Sequence, residues 1–415
     1  MSYSNLSQMN FELSTDQKKF LQKVDGACRS IRPYEEKCYL EEKLNDRVVP
    51  VFGRIGMLGC PVSKKYGGLG CDMLTYALAI ERIGQEGASL RTFFSVHISI
   101  GQLVLQGWGS EEQKKEYLPD TTSGKSIMAF ALTEPAAGSD PSSMTTRFEA
   151  KGENYVLKGK KHWIGNGTFA NIMTTYAKDP ETGKISAFIV ERDSPGLRTE
   201  EMKNKVGLLT VKNAEVHFDG CVVPKKNLLG RKGQGLNIAY SALIDGRLSV
   251  AAGAVGVMED CLEECITHSK ARSQHGSPLA KKQLIQDHIA RIAVSIASSR
   301  WLVYRAAAAR QRLHEYVEGV GSDRPSRLVR GNREYSALRR EADTLAAIAK
   351  FHASNCAFEA ANSSVQVFGS FGYRKTAKVA RHFLDSRATT IYEGANEVLK
   401  LKIASQVLGN EYRAY

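Results

Sequence analysis

Up to about residue 125, apolar positions recur at helical intervals. Ser14-Thr-Asp-Gln17 forms a capping box ahead of Phe20, Leu21 and Val24. An amphipathic run over 40–58 stops at Gly59-Cys60-Pro61, and a helix is predicted over 72–86. The stretch 93–106 is apolar throughout. Ser110-Glu-Glu-Gln113 is a second capping box, and Leu118-Pro119 predicts the end of that helix. From 126 the pattern changes. Residues 126–132 read as a buried strand; 146–150, 154–158, 171–176, 185–190 and 214–218 are short and rich in β-formers. Turn residues separate them, at 151–154 and 179–183. Strands without intervening helices predict an antiparallel sheet or barrel. From about 236 long alanine-rich periodic segments follow, at 236–266, 279–314, 342–368 and 396–407. The expected fold is α+β: an N-terminal helical domain (1–125), a central antiparallel β domain (126–235) and a C-terminal four-helix bundle (236–415).

The chain has 415 residues, 42% hydrophobic and 24% charged. No apolar run approaches the ~20 residues of a membrane span. The first basic residue is Lys18, so no charged leader region is read, and a cytoplasmic location is expected. Eight cysteines are scattered without a CxxC pair or a neighbouring His; free thiols and no metal site are expected. Net charge is +13, which steers anionic partners. No nucleic-acid-binding motif accompanies it, leaving anionic cofactors and phosphopantetheine carriers. No GxGxxG follows a strand and there is no Walker A loop. An insert with Gly, Pro and Ser carries Arg324, Arg327, Arg330, Arg333, Arg339 and Arg340.

Candidate chemistry concentrates at 387–397. Glu393 lies between Tyr392 and Gly394, flanked by Ile391, Val398, Leu399 and Leu401. A carboxylate in apolar surroundings loses hydration, its pKa rises, and it becomes suited to act as a base near neutral pH. Gly394 would let a ligand approach the backbone. By itself the stretch is more simply read as a solvated Glu at a helix N-terminus.

Six segments in order resemble the acyl-CoA dehydrogenases: 130–140 (FALTEPAAGSD), 160–167 (KKHWIGNG), 245–256 (DGRLSVAAGAVG), 271–276 with Gln283, 366–373 (QVFGSFGY) and 391–394 (IYEG). The resemblance implies FAD-dependent α,β-dehydrogenation of an acyl thioester. Glu393 would be the base, and its backbone N–H a donor to the thioester oxygen. Phe130, Leu132, Thr133 and Ser139 would contact the flavin, with Ser139 also near substrate. Trp163 would lie against the ring, next to Gly165. Arg272 and Gln283 would hold FAD across a subunit boundary, and Gln366 and Gly369 would border the adenosine. Arg247, Tyr392 and Gly394 would bound the substrate. An oligomer, dimer or tetramer, follows from a shared site. An electron-transfer flavoprotein or O₂ would take the electrons. Some relatives carry the base before the arginine matched by Arg247; Gly246 stands there and cannot serve. Flavin oxidases and monooxygenases of this fold often lack the glutamate, so Glu393 disfavours them. A non-enzymatic, DNA-associated role rests on charge alone.

Departures are informative. Gly165 replaces a threonine, His275 an aromatic, and Ala395 the threonine after the YEG triplet. Leu384-Asp385 stands for an Arg-Asp pair. Arg91, followed by Ser95, occupies a position that is small or apolar in most relatives. Glutaryl-CoA dehydrogenases, and enzymes that make extender units on acyl carrier proteins, have arginine there. A buried arginine needs a partner. That partner is either a second acidic or polar group on the substrate, or Glu81 or Glu86 on the preceding helix.

Overall fold

The computed structural model describes residues 12–319 and 331–412. Arg324, Arg327 and Arg330 of the basic insert lie outside the described residues. Helix α1 (Thr15–Leu40) begins at the predicted capping box, Ser14 Oγ accepting from the Gln17 N–H at 3.2 Å. The run 40–58 is not one helix: Leu40 closes α1, α2 spans Val48–Arg54, and a 3₁₀ turn starts at Met57. Asn45 diverts the chain: its Oδ1 accepts from the Arg47 N–H at 3.0 Å while its Nδ2 donates to Glu35 at 2.8 Å. Such side-chain turns compete with helix. Helix α3 (Met73–Gly84) is capped by Asp72, which accepts from the Thr75 N–H at 2.6 Å.

Helix α4 (Ala88–Phe94) runs on through a π-helical stretch, Ser95–Gln102, into α5 (Leu103–Trp108). The rod is buried from Ala88 to Leu105. π-Helical turns recur at functional sites. Here the stretch carries His97, whose Nδ1 accepts from the Met128 N–H at 3.1 Å, leaving Nε2 to donate to Thr121 O at 3.0 Å. Helix α6 (Glu111–Ser123) does not stop at Pro119 but continues to the left-handed Gly124. The hydroxyls of Thr121, Thr122 and Ser123 donate to carbonyls three residues back, at 2.9, 3.1 and 3.0 Å, supporting the turn that follows the proline.

The middle of the chain is one eight-stranded sheet: β1 (Met128–Ala131), β2 (Arg147–Lys151), β3 (Asn154–Ile164), β4 (Ile172–Lys178), β5 (Ile185–Glu191), β6 (Leu197–Glu201), β7 (Ala214–Pro224) and β8 (Leu228–Leu229). Its order is β6-β7-β3-β2-β4-β5-β8, with β1 beside β4. The expected antiparallel pairing holds for five neighbours, but β4 pairs in parallel with β1 and, at one position, with β2. The reason is topological. The long excursion 132–146 returns the chain to the same sheet end, which a hairpin cannot do. Strand β6, polar on both faces at the sheet edge, was not foreseen.

The C-terminal part holds α7 (Gly235–Ala271), a hairpin of β9 (Ser273–Gln274) and β10 (Ser277–Pro278), then α8 (Gln283–Gly319), α9 (Arg333–Phe368), α10 (Lys378–Thr389) and α11 (Asn396–Leu408). All four predicted periodic segments are helices; α10 is a fifth. Helix α7 is long and apolar enough to cross a membrane, but 89% of that window is buried in the fold. Three apolar clusters hold the parts together: one between the N-terminal helices and the bundle, one between α5, α6 and the sheet, and one on the sheet's other face. Asp385 of α10 binds all three regions. It accepts from Tyr39 Oη at 2.8 Å, Ser89 Oγ at 2.6 Å and the Leu208 N–H at 2.6 Å.

Candidate active site

Between α10 and α11 the chain makes a turn in which two successive residues, Glu393 (φ 56°) and Gly394 (φ 88°), are left-handed. For glutamate this conformation costs on the order of 1–2 kcal/mol. Cations hold both carbonyls. Arg247 Nε of α7 donates to Glu393 O at 3.2 Å, and Lys350 Nζ of α9 donates to Gly394 O at 2.8 Å. Arg247 Nη1 also pairs with Asp343 at 2.7 Å. Arg247, expected at the substrate, thus uses its guanidinium on the turn and on Asp343.

The Glu393 carboxylate presses against α7 at Gly246. A Cβ there would sit 2.4 Å from Oε2 and 2.7 Å from Oε1, so only glycine leaves the carboxylate its place. Oε2 is enclosed and has no hydrogen-bond partner among the described residues. Burial pushes the Glu393 pKa up to about 7, while Arg247, Lys350 and Arg91 pull it back and Asp245 adds to the rise. The carboxylate is therefore poised to gain or lose a proton near neutrality.

Arg91 is 1% exposed on α4. One Nη donates to Tyr392 Oη, and the guanidinium lies 5.6 Å from the Tyr392 ring centroid. Nε and Nη1 have no acceptor among the described residues. Neither Glu81 on α3 nor Glu86 just beyond it pairs with Arg91. Glu81 pairs with Arg300 at 2.9 Å, and Glu86 with Arg32 at 2.6 Å and Arg82 at 2.9 Å. The arginine stem lies in a second α7 notch: a Cβ on Gly253 would meet Arg91 Cγ at 2.6 Å and Cδ at 2.7 Å. Ser95 is buried one turn further along the same rod. Arg91, Tyr392, Glu393, Gly394 and Arg247 are thus brought together, with Ser95 close in the chain.

The residues expected at a flavin line one side of the sheet. Strand β3 bulges between Lys161 and Ile164, so His162 and Trp163 face the single residue Glu215 on β7. Bulges re-aim side chains. Trp163, at φ 59°, is turned out and 52% exposed. Its O accepts from Asn213 Nδ2 at 3.2 Å. Beside it, Thr133 O accepts from the His162 N–H at 2.8 Å, and Ser139 lies exposed on the following loop. Phe130 is half-buried, 5.0 Å from Tyr176 ring to ring, and Leu132 is buried. A buried ion pair props this loop: Lys161 Nζ donates to Glu134 at 2.8 Å and to Leu132 O at 3.0 Å. Glu134 in turn accepts from the N–H groups of Thr145 and Thr146 at 2.6 and 2.9 Å. Gly165 touches the rod; a Cβ there would stand 3.0 Å from Val96 Cγ2, close enough that the valine would have to shift slightly.

Arg272, Gln283, Gln366 and Gly369 are exposed and cluster at the bundle end. Arg272 lies over Phe371 at 5.9 Å, and His268 stacks on Phe368 at 4.1 Å. His275 and Gly276, at φ 49° and 70°, make the two-residue hairpin turn between β9 and β10. No hydrogen bond or ring contact among the described residues joins this group to Trp163 or Glu393 within the chain.

Family comparison covers nearly the whole chain. Residues 14–125 match the N-terminal domain of acyl-CoA dehydrogenases, 129–221 the middle domain, and 233–321 with 328–408 the C-terminal domain. The chain belongs to the acyl-CoA dehydrogenase family. An acyl-CoA dehydrogenase of Bacillus subtilis (strain 168) is 37% identical, over 93% of this chain and 96% of its own. The structure of a glutaryl-coenzyme A dehydrogenase in complex with glutaryl-CoA superposes with a TM-score of 0.87 at 30% identity, over 98% of each chain. An acyl-CoA dehydrogenase from Bacillus anthracis complexed with FAD gives 0.88 at 30% identity, covering 96% of this chain and 68% of that one. Several parts of this candidate site escaped the sequence pattern: Lys350, Asp343, Gly253 and the Glu134–Lys161 pair. Lys350 left a trace, as a lone lysine in the alanine-rich run of α9.

Proposed function

We propose that this acyl-CoA dehydrogenase-type flavoenzyme dehydrogenates the Cα–Cβ bond of an acyl-CoA whose acyl chain ends in a second acidic or strongly polar group. The observation that carries the second half is Arg91: a fully buried guanidinium beside the base, with Nε and Nη1 unpartnered and both neighbouring glutamates engaged elsewhere. Leaving such donors without acceptors costs about 1–3 kcal/mol each, which a substrate carboxylate would offset. Gly246 and Gly253 are seven residues apart on α7, hence on nearly the same face and about 10 Å apart along it. The base lies in one notch and the arginine stem in the other, room for an acyl chain a few carbons long between them.

In this reaction Glu393 removes the α-proton. Its backbone N–H, which donates to no group among the described residues, faces the charge that develops on the thioester oxygen. Arg247 and Lys350 keep the turn in its left-handed form. The cofactor is FAD, which supplies the hydride acceptor; the exposed indole of Trp163 and the Thr133–Ser139 loop on its ion-pair prop suit a planar ring with a polar tail. Arg272, Gln283, Gln366 and Gly369 serve the cofactor of a neighbouring subunit, so the working unit is an oligomer.

The test is turnover of glutaryl-CoA and butyryl-CoA by wild type and Arg91→Ala, with an electron-transfer flavoprotein or O₂ as acceptor. Wild type is expected to favour glutaryl-CoA, and Arg91→Ala to lose on the order of 100-fold of that preference, about 3 kcal/mol. Equal preference for plain chains in both enzymes refutes the acid-binding role. A thioester on an acidic carrier protein is the second candidate substrate, supported by the net charge of +13. The same acyl group offered on CoA and on a carrier protein separates the two.

A further inference from the structure

Lys350 is fully buried, in the run of α9 that contains Ala346, Ala347, Ala349, Ala353 and Ala357. Its ammonium reaches two acceptors, Gly394 O at 2.8 Å and Asn396 Oδ1 at 2.9 Å. Asn396 is itself held, donating to Ser354 Oγ at 3.0 Å and Asn355 Oδ1 at 2.9 Å. Lysine is among the residues least often found without exposure, and a packed α9 needs no cation at this point. The lysine lies directly beneath the turn that carries Glu393.

A trans peptide points its N–H opposite to its C=O. Arg247 therefore orients the Glu393–Gly394 peptide and Lys350 the Gly394–Ala395 peptide. Two helices, α7 and α9, each fix one of two consecutive peptides in a left-handed turn that glutamate does not favour. We propose that Lys350 is a positioning residue for the base, anchoring the Gly394 carbonyl and holding one cation under the Glu393 carboxylate. The inference rests on Glu393 being the base.

Other charges also bear on that carboxylate, Arg247 and Asp245 from α7 and Arg91 from α4; around them, Glu397 of α11 acts on Lys350, Asp343 of α9 pairs with Arg247, and Lys402 of α11 pairs with Asp343. Three cations oppose the burial of Glu393, and two of them, Arg247 and Lys350, are also bonded to the turn's own backbone. Burial pulls the Lys350 pKa down to about 7, and Glu393 is the first group holding it up. The two titrate against one another, so removing the lysine leaves the carboxylate easier to protonate.

The experiment uses FAD-loaded Lys350→Met, which keeps the length and drops the charge. The Glu393 carboxyl band, identified by its loss in Glu393→Gln, is titrated by infrared difference spectroscopy. Its midpoint is expected to rise by on the order of one pH unit. With butyryl-CoA and glutaryl-CoA as probes, kcat near pH 7 is expected to fall roughly 10-fold with KM little changed. A purely structural lysine would lower FAD content or stability and leave the midpoint where it was; that result overturns the proposal. If Lys350→Met does not fold, Asn396→Ala takes its place. It removes one acceptor of the ammonium, and a several-fold loss of kcat at constant KM is expected; wild-type kcat overturns the proposal. Activity persisting in Glu393→Gln overturns the base assignment itself, an outcome distinct from either.

Discussion

Gly246→Ala is predicted to give a protein at least as stable as wild type and far less active. Position 246 is buried in the interior of α7, where glycine costs about 0.5–1 kcal/mol relative to alanine. The helix itself therefore gains. The new Cβ, however, would stand 2.4 Å from Glu393 Oε2, 2.6 Å from Cδ and 2.7 Å from Oε1. The carboxylate has to withdraw by about 1 Å to reach ordinary contact distance. The turn cannot follow, because Arg247 and Lys350 hold both of its carbonyls. The adjustment falls on the Glu393 side chain, which is flexible, so stability is barely touched. A displacement of about 1 Å at a reacting group costs roughly 100-fold in rate. The assay is anaerobic bleaching of the bound flavin by a substrate thioester, followed by steady-state kcat, with thermal melting and flavin absorbance as controls. Loss of rate on the order of 100-fold, with melting temperature unchanged or raised and full flavin content, is expected. A rate within threefold of wild type would mean that the carboxylate does not work from the notch at 246.

Three further predictions concern pH and cofactor retention. Glu393, raised by burial from an ordinary 4.5 to about 7, must be ionised to accept a proton, so kcat should rise with pH through an inflection near 7. A raised carboxyl pKa stabilises the fold below the unfolded value and loses that contribution as pH rises through the folded one. Wild type should therefore lose stability relative to Glu393→Gln between about pH 4.5 and 7, measurable by thermal melting; a flat difference counts against the buried carboxyl. Arg272→Ala should release FAD on dilution while the chain stays folded, read by gel filtration with flavin fluorescence. Full retention would remove Arg272 from the cofactor site.

Much of the fold was legible because local chemistry and tertiary demand agree. The capping boxes at Ser14 and Ser110 start helices where expected, since a side-chain oxygen satisfies the same N–H groups in a peptide or a protein. The misreadings have local causes too. The run 40–58 has apolar spacing, but Asn45 offers the backbone a turn that periodicity does not count. Pro119 reads as a stop, but hydroxyls on the three residues after Asp120 support the helix beyond it. Parallel pairing of β1 with β4 depends on where a long excursion lands, and no residue type announces that.

The candidate site divides along a different line. Glu393 and Tyr392 stand out as chemistry, whereas what fixes them is written in residues that look neutral alone. A glycine inside an alanine-rich helix reads as a small propensity cost. Only the fold shows that Gly246 receives a carboxylate and Gly253 a guanidinium stem. Arg91 had two candidate sets of partners in the sequence, its neighbouring glutamates or a ligand. The choice turned on Arg32, Arg82 and Arg300, residues up to 209 positions away (300 − 91), which occupy those glutamates first. On the proposed function, competition for counter-ions across α1, α3 and α8 leaves the Arg91 guanidinium to the substrate. Of those distant arginines only Arg300 would free a glutamate when changed, Glu81 on α3; Glu86, just past the C-terminal end of α3, keeps Arg82 when Arg32 is changed, and the Arg91 stem stays in the notch at Gly253. A freed glutamate would have to displace that stem to reach the guanidinium, so Arg32→Ala should leave the preference of the site for its second substrate group largely intact, while Arg91→Ala removes it.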